Sequence, residues 1–288
     1  MIIITGANGN IGHDIVQRLV KQIGAQQVGV SVREPEKASA LHALGVRVRQ
    51  GNFKDTASLR HAFEGALQVL IVSINTAGAN TVAQHNNAIE AAKSVGAERI
   101  LYTSHMGANP QSLFAPMVDH AATEELLVAS QIPFTVLRNG FYAESALPLL
   151  GKFLETGEIT APLDGPVSWT ARTDLAAAAV IALTKPEQLS GFTPPLTNPT
   201  TLDLAAIADI ASELIGGQIS RVTVTDEQFA QSKSAAGWPP HLIHLIGGIF
   251  KASRNGEFIA TDPTLERLLG RPVTSMRDVL NAHIVKQN

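Results

Sequence analysis

Three glycines spaced Gly6-x-x-Gly9-x-x-Gly12 carry the first chemistry in the chain. They lie in Thr5-Gly6-Ala7-Asn8-Gly9-Asn10-Ile11-Gly12, directly after the short apolar run Met1–Ile4. Ile15, Val16, Leu19 and Val20 then recur at helical spacing. Strand, glycine turn and amphipathic helix together form the setting in which such a turn binds a dinucleotide. Gly6 suits a tight turn off the strand, Gly9 offers no Cβ to obstruct a pyrophosphate, and Gly12 lets the helix close on the sheet. The free N–H groups near Asn10–Gly12 and the positive end of the helix dipole would face the phosphates.

A second strand, Gln27–Val32, alternates Val28, Val30 and Val32 and ends in Ser31-Val32-Arg33. A carboxylate at the end of this strand would accept hydrogen bonds from the ribose 2′-OH of NAD. Arg33 instead offers a permanently charged planar fork suited to a 2′-phosphate. Glu34 dissents, but beside Pro35 it reads as a carboxylate at a helix start. The pattern favours NADP(H) over NAD(H).

Other function classes are disfavoured. The formal net charge is −3 with no Lys/Arg block, which argues against nucleic acid as a partner. Cysteine is absent, so there are no disulfides, catalytic thiols or thiolate metal sites. His241 and His244 have helical spacing but lack a nearby carboxylate cluster, and no metal site is expected. The most apolar stretch, Leu175–Leu183, is too short to span a bilayer. The chain enters a strand at once, leaving no room for a signal peptide, so the expectation is a cytoplasmic protein.

Further strands are expected at Val46–Gln50, Gln68–Ile74, Arg99–Thr103 and Pro133–Arg138, with helices at Thr81–Gly96 and Pro116–Ser130. Asp55 reads as the cap of the helix after the third strand. This alternation predicts an α/β fold, a Rossmann-type doubly wound parallel sheet. Beyond about residue 145 the pattern loosens. Gly157–Ser168 reads as a loop, Gly191–Pro199 as an extended crossover, and Thr200-Thr201-Leu202-Asp203 as a cap ahead of Leu204–Ile215. The division expected is 1–145 for the dinucleotide domain and 146–288 for a smaller C-terminal α/β lobe, within which the chain could return to the main sheet.

The glycine turn and sheet resemble the short-chain dehydrogenase/reductase superfamily, whose usual site pairs a Tyr with a Lys four residues on. Here the two tyrosines, Tyr102 and Tyr142, are followed at that distance by Met106 and Ala146, and no lysine lies between Lys93 and Lys152. Ordinary ketone–alcohol catalysis and an epimerase-like activity are therefore disfavoured. More narrowly, the chain is similar to the NmrA-like branch, and within it to bacterial type 2 NAD(P)H:quinone oxidoreductases and triphenylmethane reductases. The residues that carry this are Thr5–Gly12, Val32-Arg33, Arg99–Ser104, His120-Ala121-Ala122-Thr123-Glu124, Leu137-Arg138-Asn139-Gly140-Phe141-Tyr142 and Arg172-Thr173-Asp174. Asn52 departs from the Asp usual in the branch.

The resemblance implies that Gly6, Ala7, Asn8, Gly9, Asn10, Ile11 and Gly12 hold the pyrophosphate and Arg33 the 2′-phosphate. Ser73, Ile74 and Asn75 would lie along the ribose, and Asn139, Gly140, Phe141, Tyr142, Ala143 and Glu144 near the nicotinamide. Tyr142, Phe141, His105 and Met106 would wall an acceptor pocket, although Phe141 and Met106 read equally as packing. No catalytic residue is assigned. A quinone or dye cation takes hydride without a general acid, so the protein need only hold donor and acceptor together and exclude water. His120 reads either as an acid or as half of a structural pair with Glu124 one turn on. The activity implied is NADPH-dependent reduction of quinone-like small molecules without flavin or metal. The alternative is a dinucleotide-binding sensor that contacts a regulatory protein without turnover. A homodimer would be unsurprising.

Overall fold

The computed structural model describes residues 1–74 and 76–287. Among the described residues, nine strands follow in chain order: β1 Ile2–Thr5, β2 Val28–Val32, β3 Arg47–Gln50, β4 Gln68–Ile71, β5 Arg99–His105, β6 Phe134–Asn139, β7 Glu158–Pro162, β8 Gly191–Phe192 and β9 Ser220–Val224. The helices are α1 Asn10–Ile23, α2 Ser39–Ala43, α3 Thr56–Phe63, α4 Ala79–Ser94, α5 Ala115–Ser130, α6 Phe153–Thr156, α7 Arg172–Thr184, α8 Leu204–Ile215, α9 Asp226–Ala235, α10 Pro240–Arg254, α11 Thr264–Leu269 and α12 Met276–Gln287.

Two compact units divide the chain. The first comprises 1–110, 116–138 and 175–194, and the second 111–115, 139–174 and 195–288. Set beside the expected boundary at 145, the observed one falls after residue 138, and the chain comes back to the first unit in α7 and β8.

The first unit is built on a parallel seven-stranded sheet in the order β3-β2-β1-β4-β5-β6-β8. Ile2 pairs with both Val28 and Gln68, which puts β1 between β2 and β4. The chain runs outward from β1 to β3, then crosses back to lay β4 on β1's other side. This reversal opens a crevice at the carboxyl ends of β1 and β4, the place where doubly wound sheets bind ligands. The period of two sends Ile3 into one core layer with Val69, Ile71, Ile100, Tyr102, Val136 and helical Leu59, Phe63, Ile89 and Leu127. Helix α1 buries Ile11, Ile15, Val16 and Leu19, one stripe at helical spacing.

The short edge strand β8 is where the Gly191–Pro199 expectation needs correction. That segment pairs in parallel with β6, Thr135 opposite Gly191 and Val136 opposite Phe192. Buried Arg99 explains the attachment. Its guanidinium donates to the carbonyls of Ala182 (2.8 Å) and Leu189 (2.5 Å) and to Thr135 Oγ1 (2.5 Å), tying α7 and the approach to β8 onto β5.

The second unit contains a parallel two-stranded ribbon, β7 on β9, with Ile159 opposite Arg221. The expected loop over Gly157–Ser168 therefore contains a strand, supported by Arg221 donating to the carbonyls of Ala161 and Pro162. Asp203 caps α8 through Ala206 N, and Thr225 with Gln228 forms a reciprocal capping box on α9.

Candidate functional site

In the first unit the glycine turn has the predicted form. Gly6 takes φ +64°, a conformation that disfavours side chains, and its carbonyl accepts Gly9 N at 2.9 Å. A Cβ on Gly12 would stand 2.4 Å from Gly6 O, so the helix reaches the turn only because residue 12 is glycine. Ala7 and Ile11 are buried, whereas Gly6, Asn8, Gly9 and Asn10 are exposed. Gly9 is the N-cap of α1 and supplies no side-chain acceptor, so the first-turn N–H groups keep their capacity for an outside anion. Asn8 Nδ2 instead donates to Glu34 O at 3.2 Å, tying the turn to the end of β2.

Arg33 is exposed, and among the described residues no hydrogen bond or ion pair engages its guanidinium. Glu34 is occupied by Lys37 Nζ at 2.5 Å, which also holds its carboxyl below the ordinary value. The cation at the strand end thus stands with its one dissenting neighbour paired elsewhere. Asn52 Oδ1 accepts Lys54 N, and Asp55 caps α3 through Ala57 N and Ser58 N, as its place in the sequence predicts.

After β4 the backbone runs past the end of the ladder, and side chains take over its donors. Val72 N donates to Thr5 Oγ1 (2.9 Å), Ser73 N to Thr103 Oγ1 (2.8 Å) and Ile74 N to His85 Nε2 (3.2 Å). Three consecutive N–H groups are thereby fixed from β1, β5 and α4, which holds this segment at the carboxyl edge. Asn75, expected beside them, lies outside the described residues.

Behind that segment is a row of polar side chains whose connections sequence spacing does not reveal. His85 is buried and lies 2.9 Å through Nδ1 from Thr123 Oγ1. Tyr102 is fully buried, with its hydroxyl 2.8 Å from His120 Nδ1. The His120 ring stacks on His105 at 6.2 Å between centroids. Burial pushes His85 down to about 4 and His105 to about 3, and lowers His120 well below the usual imidazole range, assisted by the neighbouring imidazoles. All three are neutral at pH 7. Met106, next to His105, is partly exposed.

The structural pairing of His120 with Glu124 needs correction. Glu124 accepts from Ser104 Oγ (2.6 Å), Arg138 Nε (3.2 Å) and Arg138 Nη2 (2.7 Å), while His120 bonds Tyr102. Consecutive residues of a strand face opposite ways, so Thr103 serves the segment after β4 while Ser104 turns to α5.

In the second unit, Asn139 is buried and ends β6. Gly140 N donates to Leu196 O at 2.8 Å, and a Cβ there would meet Thr170 Oγ1 at 2.2 Å, which requires glycine. Phe141 is enclosed by Phe114, Trp169 and Phe258 at 5.1–5.8 Å, so it packs in an aromatic core. Tyr142 is partly exposed, its ring 5.9 Å from the Arg172 guanidinium. Burial raises the Tyr142 phenol, keeping it protonated. Ala143 is buried, and Glu144 caps α7 by accepting Arg172 N at 3.2 Å. Asp174, fully buried, accepts Arg271 Nη2 and Thr274 N, each at 2.6 Å.

Comparison with known proteins bears on what this arrangement serves. A model of the NAD(P)H-binding family matches residues 6–186. Quinone oxidoreductase 2 of Escherichia coli is 33% identical over the full length of both chains. The chain belongs to the NmrA-like NAD(P)H-binding family. The crystal structure of the NADPH-dependent E. coli quinone oxidoreductase with NADPH matches at TM-score 0.92 and 31% identity, covering 99% of this chain and all of that one. Citrobacter sp. triphenylmethane reductase, solved with NADP(H), matches at TM-score 0.90 and 30% identity over 98% of this chain and 99% of that one. The expected kinship and Rossmann-type fold are borne out. Family membership makes this an NAD(P)-binding oxidoreductase by kinship. No helix among the described residues is long and apolar enough to cross a membrane.

Proposed function

We propose that this protein is an NADPH-dependent reductase of electrophilic small molecules, quinones foremost, that passes hydride directly to the acceptor without flavin. The observation that carries the reading is the juxtaposition in the first unit: a glycine turn opening on an uncapped helix start, with Arg33 exposed and Glu34 already paired. This cradle fits a dinucleotide: glycine at position 12 lets the helix start close on the turn, where a Cβ would stand 2.4 Å from Gly6 O, and leaves its first N–H groups to an anion. The first-turn N–H groups of α1 would receive the pyrophosphate, Arg33 the 2′-phosphate, and Ser73 and Ile74 the ribose. Bound there, NADPH is a hydride donor.

His105 and Met106 would lie beside the acceptor. A quinone accepts hydride readily, so these residues need to bind, orient and exclude water. The names of the relatives, a quinone oxidoreductase and a triphenylmethane reductase, support the acceptor class.

The test follows NADPH absorbance with a panel of quinones and a triphenylmethane dye, and repeats it with NADH. Saturable, acceptor-dependent oxidation that prefers NADPH is expected. Tight NADP(H) binding with no turnover on any acceptor would overturn the reductase and favour a dinucleotide sensor.

A further inference from the structure

The reductase reading leaves the buried row His85, Tyr102 and His120 without a role, although three polar rings in a sheet core need a reason. Their proton order follows from the hydrogen bonds. Thr123 Oγ1 donates to Asp119 O, so it can only accept from His85, and His85 Nδ1 carries the proton. Ile74 N–H occupies His85 Nε2 as donor, consistent with that tautomer. The Tyr102 hydroxyl lies 3.5 Å from His85 Nδ1 and 2.8 Å from His120 Nδ1. Of these two imidazoles only His120 can accept the phenol proton, and where the phenol donates to its Nδ1 the His120 proton is on Nε2.

Exposure separates the members. His85 and Tyr102 are buried at 1% and 0%, whereas His120 is partly exposed and stacks on His105, the last residue of β5. The row thus has an inner end fixed to the segment after β4 and an outer end at the carboxyl edge. The geometry points to His120 as the group that donates a proton to the reduced acceptor, with Tyr102 as the positioning residue whose phenol donates to Nδ1 and so keeps the imidazole proton on Nε2. This rests on the reductase reading above.

The balance is simple. A quinone that takes hydride from NADPH gains two electrons and one proton, and one of its oxygens is left anionic. The His120 Nε2–H bond breaks as the quinol O–H bond forms, and the Tyr102 O–H proton passes to His120 Nδ1. Water then returns a proton to Nε2 while the Nδ1 proton goes back to Tyr102. The sum is quinone, NADPH and one proton giving quinol and NADP+. Tyr102 and the quinol are both phenols, so the proton moves between oxygens of similar basicity.

A triphenylmethane cation supplies the control, because hydride alone converts it to a neutral product. His120→Gln and Tyr102→Phe should lower single-turnover quinone reduction about tenfold to a hundredfold, with the dye rate within about threefold of wild type. Wild type should show a solvent deuterium effect on quinones and none on the dye. Equal losses on both acceptors would mean a structural role and overturn the proposal. Should His120→Gln fail to fold, Tyr102→Phe keeps the core ring and carries the same contrast.

A second readout needs no turnover. Nitrogen-15 NMR of the nucleotide-free protein should show His120 as the neutral Nε2–H tautomer, and Tyr102→Phe should erode that preference. An Nδ1–H tautomer would overturn the proposal even in an active reductase. If wild type oxidises NADPH with neither acceptor while the Nε2–H tautomer is present, the reductase reading fails and the donor role falls with it.

Discussion

The glycine turn and the polar row behind β4 and β5 are two ways of building chemistry in one unit. The turn is made of backbone: seven consecutive residues, a positive φ at Gly6, and an approach at Gly12 that no side chain would permit. The row is made of side chains from α4, β5 and α5, drawn from positions 85 to 123 and joined only because β5 lies beside β4. The first tolerates almost no change in residue type but would survive a change in its surroundings. The second depends on its surroundings entirely, since burial and each neighbour's proton fix the state of every member.

The sharpest way to break the turn is Gly12→Val. Its Cβ would sit 2.4 Å from Gly6 O and 2.9 Å from Gly6 C, both backbone atoms that cannot step aside alone. A loss of about 3 kcal/mol in unfolding free energy is expected, the upper end of what overpacking ordinarily costs. Urea titration measures it, and a loss below about 1 kcal/mol would mean that α1 can lift off the turn.

Arg33→Asp tests the turn's partner rather than its shape. The residue is exposed and its guanidinium holds nothing in the first unit together, so stability should stay nearly constant. NADPH affinity should fall about a hundredfold and NADH affinity about threefold or less, through loss of a charge-assisted contact and added repulsion with the phosphate. Calorimetry with both nucleotides reads the difference. Equal losses would remove Arg33 from the 2′-phosphate site.

The same contrast explains what was legible in the sequence. Gly6, Gly9 and Gly12 could be read because their function is their spacing, and Arg33 because it directly follows a strand. Asp55 was legible as a cap because a cap acts within three residues of itself. The bonds of His120 were not, because Glu124 one turn on is the obvious partner by spacing. Strand alternation sent Ser104 to that carboxylate and left His120 to Tyr102. β7 and β8 were hidden for a related reason. Each is short and Gly/Pro-flanked, and its pairing is supported by an arginine from far along the chain, Arg221 for β7 and Arg99 for the approach to β8. Phe141 was ambiguous until Phe114, Trp169 and Phe258 closed around it.

Acid should act on the row and spare the turn. His85 is neutral in the folded protein, with its value lowered from 6.5 to about 4, and takes its ordinary value when unfolded. Between those values the unfolded chain binds a proton that the folded chain does not. Stability from this source is therefore complete above pH 6.5 and is lost as the pH falls toward 4. By pH 4.5 His85 alone should cost about 2 to 3 kcal/mol. Urea unfolding at pH 7 and pH 4.5 measures the loss, and His85→Gln should show a smaller difference between the two. An identical pH dependence in wild type and variant would mean that His85 is protonated in the fold.

The smallest expected effect is at Asp55, whose carboxylate serves the turn's side of the unit by local bonds alone. Oδ1 accepts Ala57 N at 3.0 Å and Ser58 N at 3.2 Å, both first-turn donors of α3 that would otherwise look to water. Asp55→Ala should cost about 1 kcal/mol, with no change in NADPH affinity. Asp55→Asn, which keeps the acceptor oxygen and loses the charge, should recover most of it, because an amide caps nearly as well as a carboxylate. The exposed position allows water to replace part of the lost bonds, which keeps the cost small. A loss of nucleotide affinity in either variant, with α3 still folded, would make Asp55 a ligand and place side-chain chemistry inside the half of the unit that otherwise works through backbone.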